Sequence, residues 1–343
     1  MSRRLLYALL ALSLLGAAAG VGWWWHDRPA RERAQQLAQA DQAWQDHNFA
    51  RAERLLRQLR KEQPETADIE LCYARVLRGL GRTQEASSVL LRAVQLGLPE
   101  PEGRREYALL EAADDFALAE PVLQRVLHDQ PDDAEVWQAL ASGYVRNHRW
   151  LDAERHYTRW LAREPGRTDL VFERGRVRLE DGRFDQAASD FQIVLRAEPG
   201  HYRARLLHAH CLLGAARIAE AETELRRCQR LRPQRPEPLI GLANCAQERG
   251  DLDQAERLVR QALKLDPASL LGLHLQGSLY LRRRQYQAAV PVFERILRLD
   301  PRDQEAHLQL AQALNLLGER DRARQHEVWY ERLASHGNGR AKK

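Results

Sequence analysis

Apolar residues recur at helical spacing along almost the whole chain, and the recurrence itself repeats. Pro131, Pro165, Pro199, Pro233, Pro267 and Pro301 are each 34 residues apart. Pro64 fits the same series if one residue is deleted near Pro99, and the period set by these prolines gives units beginning at 33, 67, 100, 134, 168, 202, 236, 270 and 304. Position 20 of the nine units is Ala52, Ala86, Ala119, Ala153, Ala187, Ala221, Ala255, Ala289 and Ala323. Position 8 is nearly as uniform: Ala40, Ala74, Tyr107, Ala141, Gly175, Ala209, Ala243, Gly277 and Ala311. Small residues at two fixed points imply two helices whose backbones approach closely there, since a larger side chain would overpack the contact. Bulky residues at position 17 (Phe49, Phe116, Trp150, Phe184) and position 24 (Leu56, Leu123, Tyr157, Phe191) complete the buried stripe of the second helix. Gly81, Gly182, Gly250 and Gly318 sit between the helices, suited to a left-handed C-terminal cap. Proline at position 32 stops the second helix.

The first 26 residues read differently. Leu5 to Trp25 carry no charge, and as a helix these residues would span about 31 Å, enough for a hydrocarbon core of about 30 Å. Arg3 and Arg4 precede the run, and Trp23, Trp24 and Trp25 close it at the depth where amphipathic rings settle. The sequence therefore predicts a signal-anchor transmembrane helix over 1–26, a short linker over 27–32, a repeat domain over 33–335 and a basic disordered tail over 336–343. The alternative is a signal peptide cleaved after Ala19, where Ala17 and Ala19 meet the small-x-small rule. The short basic N-terminus places the repeats outside the cytoplasm, as a single-pass protein of a bacterial inner membrane, although Arg28, Arg31 and Arg33 leave the positive-inside rule little margin.

Composition narrows the classes further. Few prolines and glycines and scarce β-branched runs exclude an all-β chain. Lys and Arg number 53 against 48 Asp and Glu, a net charge of only +5, which disfavours nucleic acid as a partner. Cys72, Cys211, Cys228 and Cys245 form no CxxC pair. Cys211 and Cys245 fall in equivalent slots of adjacent units, about 10 Å apart and beyond bridging reach, while a pairing of Cys228 with either stays open. His208 and Cys211 share a helical face, but His210 points elsewhere and His201 is two turns away, so no metal site is expected. GxSxG, HExxH, GxxxxGK[ST] and GxGxxG are absent, which argues against an enzyme and implies no cofactor.

The chain resembles the tetratricopeptide repeat (TPR) family over residues 33 to 337. Residues 134–167 carry the family pattern most fully, through Trp137, Leu140, Ala141, Tyr144, Ala153, Tyr157 and Pro165, with Trp160 in place of the small residue at position 27. The last unit departs through Arg320 and Glu327, as a water-exposed terminal repeat should. The resemblance implies an all-α, right-handed α-solenoid of about nine helix-turn-helix units preceded by one transmembrane helix. It also implies a concave groove lined by positions 2, 5, 9, 12 and 13 of each unit. On this chain those positions give Arg75, Arg78 and Arg104 early, then Gln138, Arg146, Phe172 and Arg176. Leu206, His210, Leu213, Ile240, Asn244 and Gln247 follow, and His274, Leu281, Arg282, Leu308 and Gln312 end the row. Apolar anchors flanked by Arg, Gln and Asn suit a peptide or helix of a partner protein. The carboxylate clamp of some TPR proteins is missing, since position 5 reads Leu71, Arg104, Gln138, Phe172, Leu206, Ile240, His274 and Leu308. The expected function is a non-enzymatic, membrane-anchored scaffold. The alternative is a recognition or regulatory subunit of an envelope biogenesis or secretion enzyme complex. The layout is similar to that of the lipopolysaccharide assembly proteins of Gram-negative bacteria, whose cysteine-rich metal-binding module is absent here.

Overall fold

The computed structural model describes residues 32–62 and 66–340, and among these every regular element is a helix. The first, α1, covers residues 32–45. Then come α2 (Phe49–Glu62), α3 (Ala67–Gly79), α4 (Thr83–Gln95), α5 (Glu100–Asp114), α6 (Phe116–Asp129) and α7 (Ala134–Arg146). These are followed by α8 (Trp150–Arg163), α9 (Thr168–Glu180), α10 (Phe184–Ala197), α11 (Tyr202–Gly214), α12 (Ile218–Leu231) and α13 (Glu237–Glu248). The last five are α14 (Leu252–Leu265), α15 (Leu270–Arg282), α16 (Tyr286–Leu299), α17 (Gln304–Leu316) and α18 (Arg320–Arg340). Each 34-residue unit thus supplies an odd-numbered first helix and an even-numbered second one. The chain divides after Asn147 into two compact bodies, the first ending with α7 and the second beginning with α8. Within each body, consecutive helices pack on one another, and first helices of neighbouring units also touch, as α5 does α7 and α13 does α15.

The nine position-20 alanines are all buried to within 1% of full exclusion, as the two-helix reading requires. Position 8 agrees in every unit but the third, where Tyr107 is 48% exposed and Ala108 takes the buried slot. Gly103, Glu106, Leu109 and Leu110 of α5 keep the buried positions that Trp137, Leu140, Gly143 and Tyr144 hold in α7, so the exchange is confined to Tyr107 and Ala108. Trp160, in a slot that usually holds a small residue, is buried and donates its Nε1–H to Glu164 at 2.7 Å.

Turn chemistry follows the same period. Asp133, Ser269 and Asp303, two residues past a unit's proline, accept the N–H three residues on and cap α7, α15 and α17. Position 15 adopts a left-handed backbone in eight units: Gly81, Gly182, Gly250 and Gly318, and also His47, His148, Ala216 and Arg284 with φ of 54–59°. The non-glycine residues carry a cost of about 1 kcal/mol each. Ala216→Gly combined with Arg284→Gly is therefore expected to stabilise the second body by about 1–2 kcal/mol, read as a rise in its urea midpoint.

α18 covers the last core. His307 of α17 is buried, stacks on Trp329 at 5.9 Å and donates from Nε2 to the Pro301 carbonyl at 3.3 Å. Its Nδ1 therefore accepts from Nδ1–H of His326, 3.0 Å away. Burial, then the neighbouring His307 and Arg322, push the His326 pKa below its ordinary 6.5. The unfolded chain then binds a proton more readily than the folded one, and stability falls as pH drops through 6.5 toward the lower folded value. Protection factors in α17 and α18, corrected for the intrinsic exchange rate at each pH, are expected to fall between pH 7.5 and 5.5, and His326→Phe to flatten that dependence.

No described helix is long and apolar enough to cross a membrane. The anchor expected over 1–26 and residues 27–31 of the linker expected over 27–32 lie outside the described residues, as does Pro64, while residue 32 opens α1. α18 runs to Arg340, so the backbone of residues 336–340 is helical where the sequence suggested disorder. Once α18 has nucleated on α17, adding residues to its end is cheap.

Candidate functional site

In the first body two of the expected groove cations, Arg75 and Arg78, turn toward a buried carboxylate. Glu106 of α5 is fully excluded from solvent. Arg75 and Arg78 of α3 donate to its two carboxylate oxygens at 3.2 and 2.6 Å. Arg78 also reaches Glu135 of α7 at 2.6 Å. Arg105 grips Asp133 through two bonds of 2.6 and 3.0 Å and adds one to Glu135 at 3.0 Å. Three guanidinium groups and three carboxylates thus neutralise one another across three consecutive first helices. Arg75 and Arg78 thus have their charge matched within this lattice, with Arg78 engaged through Nε and one terminal nitrogen and Arg75 through Nε. Asp133 is held below the usual carboxylate range by Arg105 and the capped N–H of Val136, against the opposing effect of burial. Arg104 and Gln138 are exposed; Arg104 pairs with Glu100, and Gln138 donates to Ser142 at 3.2 Å. Arg146 donates to the Ala112 carbonyl.

In the second body Phe172 is only 8% exposed and packs edge-on against Phe191 with ring centres 5.6 Å apart. Arg176 is paired with Glu173 at 2.8 Å. Leu206 and Leu213 of α11 are half-buried, as are Leu281 of α15 and Leu308 of α17. His210, Arg282 and Gln312 face solvent. Gln247 is half-buried with its Oε1 unpartnered.

Ile240, Asn244 and His274 are the expected residues that the structure does bring together. With Leu271, Leu275, Ser278, Asp303, Glu305 and Gln309 they line a cavity of about 450 Å³ over α13, α15 and α17. Ile240 and Leu275 form an apolar floor, and Leu271 stands 67% exposed at the edge. Asp303 fixes the wall twice over, accepting Ala306 N–H at 2.8 Å and lying 2.7 Å from His274 Nε2. Gln309 donates to Glu305, while its own Oε1 is buried without a partner. Asn244 and Ser278 make no side-chain hydrogen bond to any described residue. Their amide and hydroxyl are therefore available, and Asn244 offers both a donor and an acceptor for a peptide group.

The chemical alternatives find no comparable arrangement. All four cysteines are free thiols. Burial pushes Cys211 up to about 12 and Cys228 and Cys245 up to about 11, so none supplies a thiolate at neutral pH. His201 caps α11 through Nδ1, burial pushes His208 down, and His210 lies exposed. Among the described residues no group of three His, Cys, Asp or Glu side chains is placed to hold a metal ion.

The same architecture is found in known proteins. Three family profiles, each described as tetratricopeptide repeat, match residues 37–100 and 139–188, residues 178–230 and 280–326, and residues 236–269, together more than half of the chain. The chain belongs to the tetratricopeptide repeat family. A tetratricopeptide repeat protein from Parabacteroides merdae ATCC 43184 superposes with a TM-score of 0.58 at 17% identity, covering 67% of this chain and 93% of that one. A chain of the APC/C hetero-tetramer Cut9–Hcn1 superposes with a TM-score of 0.51 at 18% identity, covering 83% of this chain and 56% of that one. Both likenesses concern the fold. Cellulose synthase operon protein C of Xanthomonas axonopodis pv. citri (strain 306) is 28% identical over 190 residues, or 53% of this chain. The match spans only 13% of that protein's length. The TPR fold typically serves as a non-catalytic scaffold suited to protein–protein interaction.

Proposed function

We propose that this TPR chain is a non-enzymatic scaffold that binds a peptide segment of a partner protein in the cavity over α13, α15 and α17. The carrying observation is the combination of an apolar floor at Ile240 and Leu275, an exposed Leu271 and the unpartnered polar heads of Asn244 and Ser278. An apolar side chain of the ligand would replace water over the floor, and Asn244 would hold the adjoining peptide group. Residues 5–25 would tether the scaffold to a membrane, with the repeats outside the cytoplasm.

A second reading makes the chain the recognition subunit of an envelope biogenesis enzyme complex. The similarity to cellulose synthase operon protein C favours it. Crosslinking of the tagged full-length chain in cells tests both, run beside the variant Asn244→Ala, Leu271→Ser, Ser278→Ala. The scaffold reading expects a discrete set of proteins lost in the variant. The second reading expects an envelope polysaccharide enzyme among them. An unchanged set would contradict binding in the cavity.

A further inference from the structure

The modest net charge of the chain conceals an asymmetry. Residues 148–343 carry 35 Lys and Arg against 27 Asp and Glu, a net of +8, whereas residues 1–147 carry 18 against 21, a net of −3. Much of the basic excess in the second body is already engaged, as in Arg174 and Arg178 on the buried Asp190. One part of it is not. Arg196, Arg230, Lys264 and Arg298 occupy the same position in four successive units, in the last turn of α10, α12, α14 and α16. All four are exposed and none has a carboxylate partner among the described residues.

A cation in the last helical turn has an ordinary explanation, since it complements the negative end of the helix dipole. That explanation does not reach the residues beside them. Leu231, Leu265 and Leu299 immediately follow three of the cations and are 48%, 39% and 48% exposed. Ile193, one turn before Arg196, is 45% exposed. Each of the four helices therefore presents one unpaired cation and one large aliphatic side chain to water. The pair recurs once per 34-residue unit along the second helices. Carboxylates close in sequence are engaged elsewhere: Asp266 accepts Ala268 N–H at 3.0 Å, Asp300 accepts Arg302 N–H at 2.9 Å, Glu198 accepts from Thr168 at 2.8 Å, and Glu294 pairs with Arg322 at 2.7 Å.

We propose that this edge of the second body lies on the surface of an anionic lipid bilayer. The four cations meet lipid phosphates, and Ile193, Leu231, Leu265 and Leu299 enter the headgroup layer beside them. Aliphatic side chains between the cations gain from a headgroup–acyl boundary and nothing from a polynucleotide backbone. The row also holds no aromatic ring on which a base would stack. This surface lies on the second helices and is separate from the cavity on α13, α15 and α17, so either reading can fail alone.

The test uses the full-length protein reconstituted into vesicles of phosphatidylcholine, or of phosphatidylcholine with about 30% phosphatidylglycerol, at which lipid-facing cations are effective. Hydrogen exchange is read in the last turns of α10, α12, α14 and α16. Exchange there is expected to slow at least ~10-fold in the anionic vesicles relative to the neutral ones, at low ionic strength, and the difference to vanish at high salt where surface charges are screened. The variant Arg196→Gln, Arg230→Gln, Lys264→Gln, Arg298→Gln is expected to exchange alike in both vesicles. Should the variant fold poorly, the salt comparison on the unaltered protein distinguishes the same two outcomes. Equal exchange of the unaltered protein in the two vesicle types would overturn the proposal. So would protection of these turns by a single-stranded or duplex oligonucleotide at concentrations where anionic vesicles give none.

Discussion

Glu106→Gln is expected to lower the stability of the first body by about 3 kcal/mol, although the side chain keeps its shape. Glu106 is fully buried and receives Arg75, Arg78 and Arg105 at 3.2, 2.6 and 3.4 Å. Its removal leaves three guanidinium groups facing only Asp133 and Glu135. Those groups are 14–29% exposed, so water relieves part of the imbalance, which places the cost at the low end of the range for a broken buried pair. Native-state hydrogen exchange in α3, α5 and α7 measures it directly. A loss under about 1 kcal/mol would mean that the lattice tolerates an unmatched cation as a surface ion pair does.

Gly143→Ala is the second large effect, and its direction runs against helix propensity. In an exposed helix interior the change would stabilise by up to about 1 kcal/mol. Here an added Cβ would lie 2.0 and 2.2 Å from the Phe116 ring. The ring cannot easily retreat. It is buried and meets Tyr144 edge-on at 5.2 Å, and Tyr144 is itself held by Glu120 and Gln124, each at 2.9 Å. Overpacking should exceed the propensity gain, for a net destabilisation of about 2 kcal/mol. The double variant Phe116→Leu, Gly143→Ala should be less destabilised than the sum of its singles in urea titration, because the smaller side chain vacates the contested space. Strict additivity would place the strain elsewhere.

The repeat architecture was legible because close helix approach admits only small residues, and alanine at position 20 marks that contact in every unit. The turns were half legible. Glycine announces a left-handed backbone, but Ala216 and Arg284 adopt one without any local signal, and only the 34-residue period points to them. The outward Tyr107 was hidden, since the positions around it, Glu106 and Leu110 on the same helix and Ala119 on the next, all stay in register. For the site, family positions reached Ile240, Asn244, Leu271, His274 and Ser278 but missed Asp303 and Gln309. Asp303 is the last position of its unit and Gln309 the sixth of the next, neither counted as groove-facing. Arg75 and Arg78 were expected to face a partner because their neutralising groups lie in other repeats. The visible warning was Glu106 itself, a carboxylate in a slot where the family places leucine.

Site-resolved photocrosslinking tests most directly whether the cavity over α13, α15 and α17 receives a partner segment. A photoreactive residue would replace Leu271 at the cavity edge, or Arg257 on α14 outside the cavity, in the full-length chain expressed in cells. A segment seated in the cavity gives a discrete protein adduct from position 271 that is absent from position 257 and disappears when Asn244→Ala and Ser278→Ala are added. No adduct at 271, or the same adducts from both positions, would contradict binding there.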